Sequence, residues 1–285
     1  MTETKLPIVR TVAALREQVA AWRAKGETVG LVPTMGALHA GHLSLVSLAR
    51  SQAEHVVATL FVNPRQFAPG EDFEAYPRTL EGDVARLSTA PCDLLYAPEP
   101  AEVYAPGFAT EIRVGGVSAP LEGAARPQFF SGVATVVAKL LIQAGPDVAV
   151  FGEKDYQQLQ VIRRLVRDLD MPVRIVGGPT VREPDGLALS SRNAYLSAPE
   201  RAIAGRLNVI LAEVAARVSG GGGVTAAELA GCKALLAAGF ARVDYVEVRR
   251  ADDLSRFDVA VDAPARVLGA AWLGRTRLID NLPVG

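Results

Sequence analysis

His39 and His42 lie three residues apart with Gly41 between them, and they are two of only three histidines in a chain of 285 residues. They close the run Pro33-Thr34-Met35-Gly36-Ala37-Leu38-His39-Ala40-Gly41-His42. Gly36 allows a tight backbone turn and Gly41 a close approach to a ligand. The spacing sets both imidazoles at the opening turn of a helix, where backbone N–H groups already favour phosphate. Two ordinary cap histidines would read the same way. Crowding most of the chain's histidine into four residues favours a shared ligand instead.

Three further segments carry groups of the same kind. In Phe61-Val62-Asn63-Pro64-Arg65-Gln66-Phe67, Pro64 stops a strand and leaves the amides of Asn63 and Gln66 in a loop. Neutral amides donate and accept, which suits hydroxyls and a carboxylate, although a polar turn is the simpler reading of this segment alone. In Phe151-Gly152-Glu153-Lys154-Asp155-Tyr156-Gln157-Gln158, Lys154 is a point charge for phosphate oxygens and Asp155 an acceptor for ribose hydroxyls. Glu153 and Asp155 also fit as plain helix N-terminal charges, and one of Gln157 and Gln158 can reach a pocket. The stretch from Thr180 to Asn193 turns at Pro184-Asp185-Gly186 and then offers Ser190, Ser191 and Arg192 to a polyphosphate.

These groups must be positioned by alternating elements. Apolar periodicity predicts helices near 11–25, 41–50, 79–88, 131–144 and 155–168, with strands at 28–32, 55–62, 93–96, 147–151 and 173–176. That alternation implies a Rossmann-like parallel sheet with helices on both faces over residues 1–182. Ligands of such sheets sit at the carboxyl ends of the strands. Residues 183–285 read as a smaller α+β unit: helical stretches at 198–217 and 225–238, then β-rich runs at 242–249, 265–273 and 275–280. The glycines 220–223 lie between its two helices and read as a surface loop.

Thirty basic and 31 acidic residues leave a net charge of −1, with no basic stripe, so nucleic acid is not an expected partner. No run approaches a membrane span. Two widely separated cysteines lack metal-ligand spacing and fit a reducing compartment, so a soluble cytoplasmic protein is expected.

The HxGH of residues 39–42 resembles the signature of the adenylate-forming nucleotidyltransferases. Taken with FVNPRQF, FGEKDYQQL and TVREPDGLALSSRN, the chain resembles the pantothenate synthetase family over nearly its whole length. The resemblance implies ATP-dependent joining of pantoate to β-alanine through pantoyl adenylate, with release of pyrophosphate and AMP. It implies His42, His39 and Lys154 as catalytic groups. ATP contacts would come from Met35, Gly36, Ala37, Leu38, His39, Ala40, Gly41, His42, Gly152, Glu153, Lys154, Asp155, Val181, Leu189, Ser190, Ser191 and Arg192. Gln66 and Gln158 would bind pantoate, with Gln66 near β-alanine and Asn63 beside them. Magnesium would be held through phosphates, with Asp83 as a candidate contact, and the family's homodimer is implied as well.

Three positions depart from the family pattern. Leu189 stands for a usual methionine, a swap that conserves volume. Arg126-Pro127-Gln128-Phe129-Phe130-Ser131-Gly132 usually reads RPGHFxGV, so Phe129 is expected to shape the pocket wall or pack the following helix. Gly82-Asp83 replaces an acidic pair. A different HxGH nucleotidyltransferase would lack FVNPxQF and GEKDxQQ, and a non-catalytic nucleotide-binding relative would have lost the histidines or Lys154.

Overall fold

The computed structural model describes residues 6–67, 73–74, 76–257 and 261–285. Its elements run β1 (Ile8–Val9), α1 (Val12–Arg23), β2 (Val29–Thr34), α2 (Ala40–Arg50), β3 (His55–Leu60), α3 (Leu80–Leu87), β4 (Leu94–Tyr96), α4 (Pro100–Val103), α5 (Glu122–Ala125), α6 (Phe129–Ala144), β5 (Val148–Gly152), α7 (Tyr156–Asp168) and β6 (Arg174–Gly178). Three helices, α8 (Ala198–Ala204), α9 (Arg206–Ser219) and α10 (Val224–Ala237), then precede β7 (Arg242–Arg250), β8 (Ala265–Leu273) and β9 (Thr276–Val284).

The first six strands form one parallel sheet in the order β1-β4-β3-β2-β5-β6. Chain order reverses between β2 and β5, so the loops after those two strands diverge and open a crevice at the carboxyl edge. One sheet face packs on α1, α6 and α7 through Leu15, Leu31, Val57, Leu140, Leu159 and Ile162, while α2 and α3 cover the other through Val46, Ala49 and Leu87. The pattern of α7 shows the cause: Leu159, Ile162, Leu165 and Val166 share its buried face, while Arg163 and Arg167 are not on it. The last three strands make an antiparallel sheet, β7-β8-β9, backed by α9 and α10 through Leu207, Ile210, Leu211 and Leu235.

The architecture is the expected α/β sheet with a smaller α+β unit, and the differences have local causes. Pro33 does not end β2: it pairs opposite Thr59 inside the strand. Its missing N–H is tolerated because β5 pairs with β2 only at Gly30 and Leu31, leaving that side of Pro33 unpaired. The helical stretch expected at 198–217 is two helices broken at Gly205, where a Cβ would lie 2.7 Å from the Asp185 carbonyl oxygen. Helix α6 begins at Phe129, two residues before the expected start. The glycines 220–223 connect α9 to α10.

Candidate active site

All four chemistry-bearing segments leave the carboxyl ends of parallel strands: the histidine run after β2, FVNPRQF after β3, FGEKDYQQL after β5, and the 179–193 stretch after β6. They converge on a cleft of about 1510 Å³ whose far wall comes from the antiparallel sheet, including Arg277 and Asn281.

The β2–α2 loop owes its shape to two left-handed residues, Gly36 at φ +86° and Ala37 at φ +50°. That turn aims the N–H groups of Ala37 and Leu38 at Asp83, which accepts them at 3.0 and 2.8 Å. Asp83 is 1% exposed and commits both carboxylate oxygens to this loop. It braces the histidine segment and is not placed to contact magnesium, contrary to the expectation from sequence. Gly36, Ala37, Leu38 and Ala40 likewise shape the loop without lining the cleft, whereas Met35, His39, Gly41 and His42 do line it. Gly41 lines the cleft and has a further reason to be glycine: a Cβ there would stand 2.9 Å from the His39 ring, so glycine makes room for the imidazole.

The two imidazoles sit 4.1 Å apart, centroid to centroid. His39 Nδ1 accepts the Gly41 N–H at 3.2 Å, and His42 Nδ1 accepts the His39 N–H at 3.3 Å. With Nδ1 occupied as an acceptor, each neutral ring carries its proton on Nε2 and offers it as a donor. Burial first, then the nearby charges of Lys154 and Arg86, push His39 down to about 4, partly offset by Asp155. Burial first, then His39 and Lys154, push His42 down to about 3. Both rings are therefore neutral hydrogen-bond donors at physiological pH, and Lys154 supplies the formal charge of this wall.

Lys154 and Asp155 line the cleft and face each other at 3.8 Å. Glu153, expected at the nucleotide, turns away and accepts from Arg266 of β8 at 3.1 Å. Across the cleft, Val181, Leu189, Ser190, Ser191 and Arg192 lie on a hairpin-like turn closed by Leu189 N–H to Val181 C=O at 3.0 Å, with Gly186 at φ +91° at its tip. Ser190 caps the short turn that follows, accepting from Arg192 N–H at 3.3 Å.

Gln66 is nearly buried and lines the cleft. Its Oε1 accepts from Asn63 Nδ2 at 3.0 Å, which turns its own amide nitrogen toward the Met35 sulfur at 2.9 Å. Asn63 also donates to the Gly132 carbonyl at 3.1 Å and accepts from Tyr104 at 2.8 Å and Arg65 N–H at 3.3 Å. Its hydrogen-bonding capacity is filled, so Asn63 orients Gln66 and leaves no donor or acceptor for a substrate. Both glutamines of the pair line the cleft, and Gln158 does so without a side-chain partner among the described residues. Gln157 is 3% exposed and staples the preceding loop, donating to Val117 and Pro120 carbonyls and accepting from Glu122 N–H. Phe129 lines the cleft as expected, but it opens α6 rather than preceding it, and its ring packs edge-on against Phe130 of the same turn at 4.9 Å.

Sequence reading missed the residues that close the far wall. Asp280 takes a bidentate pair from Arg182 at 2.7 and 2.9 Å, and Asn281 donates to the carbonyls of Glu153 and Lys154, both at 2.9 Å. Glu122 is gripped by Arg277 through two 2.7 Å bonds and by Tyr245 at 2.6 Å. The one local signal was Asp280-Asn281 interrupting the apolar run Leu278-Ile279…Leu282. Removing Asp280 strands a largely buried guanidinium, so Asp280→Ala should cost about 3 kcal/mol in urea unfolding, whereas a loss below about 1 kcal/mol would mean that Arg182 finds solvent instead.

Two neutral N–H donors, an ammonium, two hydroxyls and a guanidinium thus face one cleft that also holds two glutamine amides: equipment for a polyphosphate beside a small polar acid. A family model for pantoate-beta-alanine ligase matches residues 7–283. The pantothenate synthetase of Caulobacter vibrioides is 64% identical over 280 residues, 98% of each chain. That of Rhodospirillum rubrum is 58% identical over 279 residues, 98% of this chain and 99% of the other. Among solved structures, pantothenate synthetase from Thermus thermophilus has a TM-score of 0.91 at 51% identity, covering 98% of this chain and 99% of that one. The pantoate-beta-alanine ligase of Francisella tularensis, complexed with beta-gamma ATP and beta-alanine, has a TM-score of 0.81 at 32% identity, covering 98% of this chain and 97% of that one. On residues, geometry and relatives together, this chain belongs to the pantoate–β-alanine ligase family.

Proposed function

We propose that the enzyme joins pantoate to β-alanine in two steps within this cleft. In the first, a pantoate carboxylate oxygen attacks the α-phosphorus of ATP, the bond to the bridging oxygen breaks, and pyrophosphate leaves. In the second, the β-alanine amine attacks the acyl carbon of pantoyl adenylate, AMP leaves with the bonding pair, and the amine proton passes to solvent. The observation that carries this reading is the convergence of the His39–His42 pair, Lys154 and the 190–192 turn on the cleft that holds Gln66 and Gln158.

Negative charge accumulates on non-bridging oxygens during attack at phosphorus, so donors already aimed there lower the barrier. His39 and His42 supply Nε2–H groups, and Lys154 supplies charge. Ser190, Ser191 and Arg192 hold the triphosphate, while Gly152, Asp155 and the backbone of Val181 hold adenosine. Gln66 and Gln158 bind the pantoate hydroxyls and carboxylate. Magnesium enters as part of the ATP substrate, on its phosphate oxygens. Asp83 is committed to the β2–α2 loop, and among the described residues no group of three carboxylate, histidine or cysteine side chains could cage a metal. Residues 183–285 close over the site, tied to the parallel-sheet unit by the pairs at Glu122, Glu153 and Arg182. Family membership also supports a homodimer and a cytoplasmic setting, in which Cys92 and Cys232 remain thiols.

Isotope exchange tests the order of steps. With ATP, magnesium and pantoate alone, labelled pyrophosphate should exchange into ATP, because the adenylate forms before the amine arrives. Exchange that begins only when β-alanine is added would overturn the two-step reading.

A further inference from the structure

Helix α6 does more than cover the sheet: its first turn is in direct contact with the Gln66 loop. A Cβ on Gly132 would stand 2.1 Å from the Arg65 carbonyl oxygen, so the helix backbone and that peptide touch. The Gly132 carbonyl holds Asn63, and Asn63 holds the Gln66 amide. Just ahead of that turn, Arg126 donates from a terminal nitrogen to the Gln66 main-chain carbonyl at 3.1 Å. The loop is therefore fixed at its side chain by Asn63 and at its backbone by Arg126.

The guanidinium of Arg126 lies over the face of Phe129, its central carbon 3.9 Å from the ring centroid. That separation is well inside cation–π range, and the site is only partly solvated, with 19% of the Arg126 side chain exposed. Glu122 sits 4.0 Å from Arg126 and also serves Arg277 and Tyr245. A stacked ring fixes the plane of a guanidinium, and that plane decides which way its N–H groups point. Where the family resemblance leads one to expect histidine, an imidazole would present a smaller and more polar face, and would repel a guanidinium when protonated.

We propose that Phe129 is a positioning residue for the acid substrate: its ring orients Arg126, and Arg126 in turn holds the Gln66 peptide so that the Gln66 amide meets pantoate. The inference rests on the reading of Gln66 as a pantoate ligand.

Steady-state kinetics of three variants test it. Phe129→Leu removes the face but keeps an apolar side chain; KM for pantoate should rise roughly five- to tenfold, with KM for ATP and kcat held within about twofold. Phe129→Tyr keeps the face and should stay within about twofold of the parent on every parameter. Arg126→Lys keeps the charge without the planar fork and should show the same split as Phe129→Leu. Because the two act in series, the double variant should be no worse than the worse single one; multiplicative losses overturn the inference. An unchanged pantoate KM in Phe129→Leu also overturns it, as does a loss of kcat and both KM values in step with Tm, the mark of a core residue. Gln66→Glu is measured alongside. Parental pantoate affinity in that variant overturns the reading of Gln66 itself, whereas a strong Gln66 effect with a silent Phe129 overturns the positioning role alone.

Discussion

Lys154→Ala should lower the rate of adenylate formation by roughly 10²- to 10³-fold, the scale of one lost group that stabilises developing charge. Lys154 lines the cleft beside two imidazoles that are themselves neutral, and the other cation near them, Arg86, is not among the lining residues. His42→Ala should cost about 10²-fold, since it removes an Nε2–H donor and leaves His39 in place. Folding should be affected little in the lysine variant. Its ion pair with Asp155 is 3.8 Å long and half-solvated, a type of contact worth about 1 kcal/mol or less. The histidine variant loses the acceptor for His39 N–H and with it one half of a capping box, at about 1 kcal/mol. Single-turnover measurements of adenylate formation, read with melting curves, separate the two effects; near-parental rates in either variant would remove that residue from the mechanism.

The same geometry sets a pH expectation. Both rings bind a proton only well below the usual histidine value, near 4 for His39 and near 3 for His42. Lowering the pH from 8 to 5 therefore leaves both in the donor form they already hold. The kcat/KM for ATP should carry no acidic limb near 6.5 from these residues, and a limb there that disappears in His42→Ala would show a cationic imidazole at work.

Gln66→Glu should weaken pantoate binding by about 10²-fold while leaving ATP affinity within about threefold. The exchange preserves size and keeps an oxygen for Asn63, but replaces the amide donor with a second carboxylate beside the substrate's own. It loses a hydrogen bond to a charged group and adds a like charge in a site that is 9% exposed. Burial raises the pKa of the new carboxyl, so acidification should protonate it and return part of the lost affinity. Calorimetric titration of pantoate and of ATP reads both limbs, and equal weakening of the two ligands would make Gln66 a structural residue.

The sequence by itself determined the fold class and which loops meet at the cleft. Alternating β and α periodicities require a parallel sheet, whose carboxyl edge is where loops can meet, and polar groups that serve no helix or strand were concentrated in four of those loops. That His39, His42, Lys154, Gln66, Gln158 and the 190–192 turn line the cleft was legible because each combines a polar residue type with a strand end. Tertiary structure decided what each of the remaining residues does. Asn63, Gln157, Glu153 and Asp83 have the right chemistry for a ligand, but packing commits that chemistry to the protein: to Gln66, to the 117–122 loop, to Arg266 and to the β2–α2 turn. Local sequence cannot reveal this, because apart from the short Asn63–Gln66 contact the partner groups lie 35 to 113 residues away and meet only when the sheet and its crossovers are complete. The far wall was hidden for the same reason. Arg277, Asp280 and Asn281 look like a polar break in an edge strand until the antiparallel sheet folds against the cleft and sets them on Glu122, Arg182 and the Lys154 carbonyl. Periodicity reports which face of an element is apolar; only the assembled chain reports which polar groups remain free to meet a substrate.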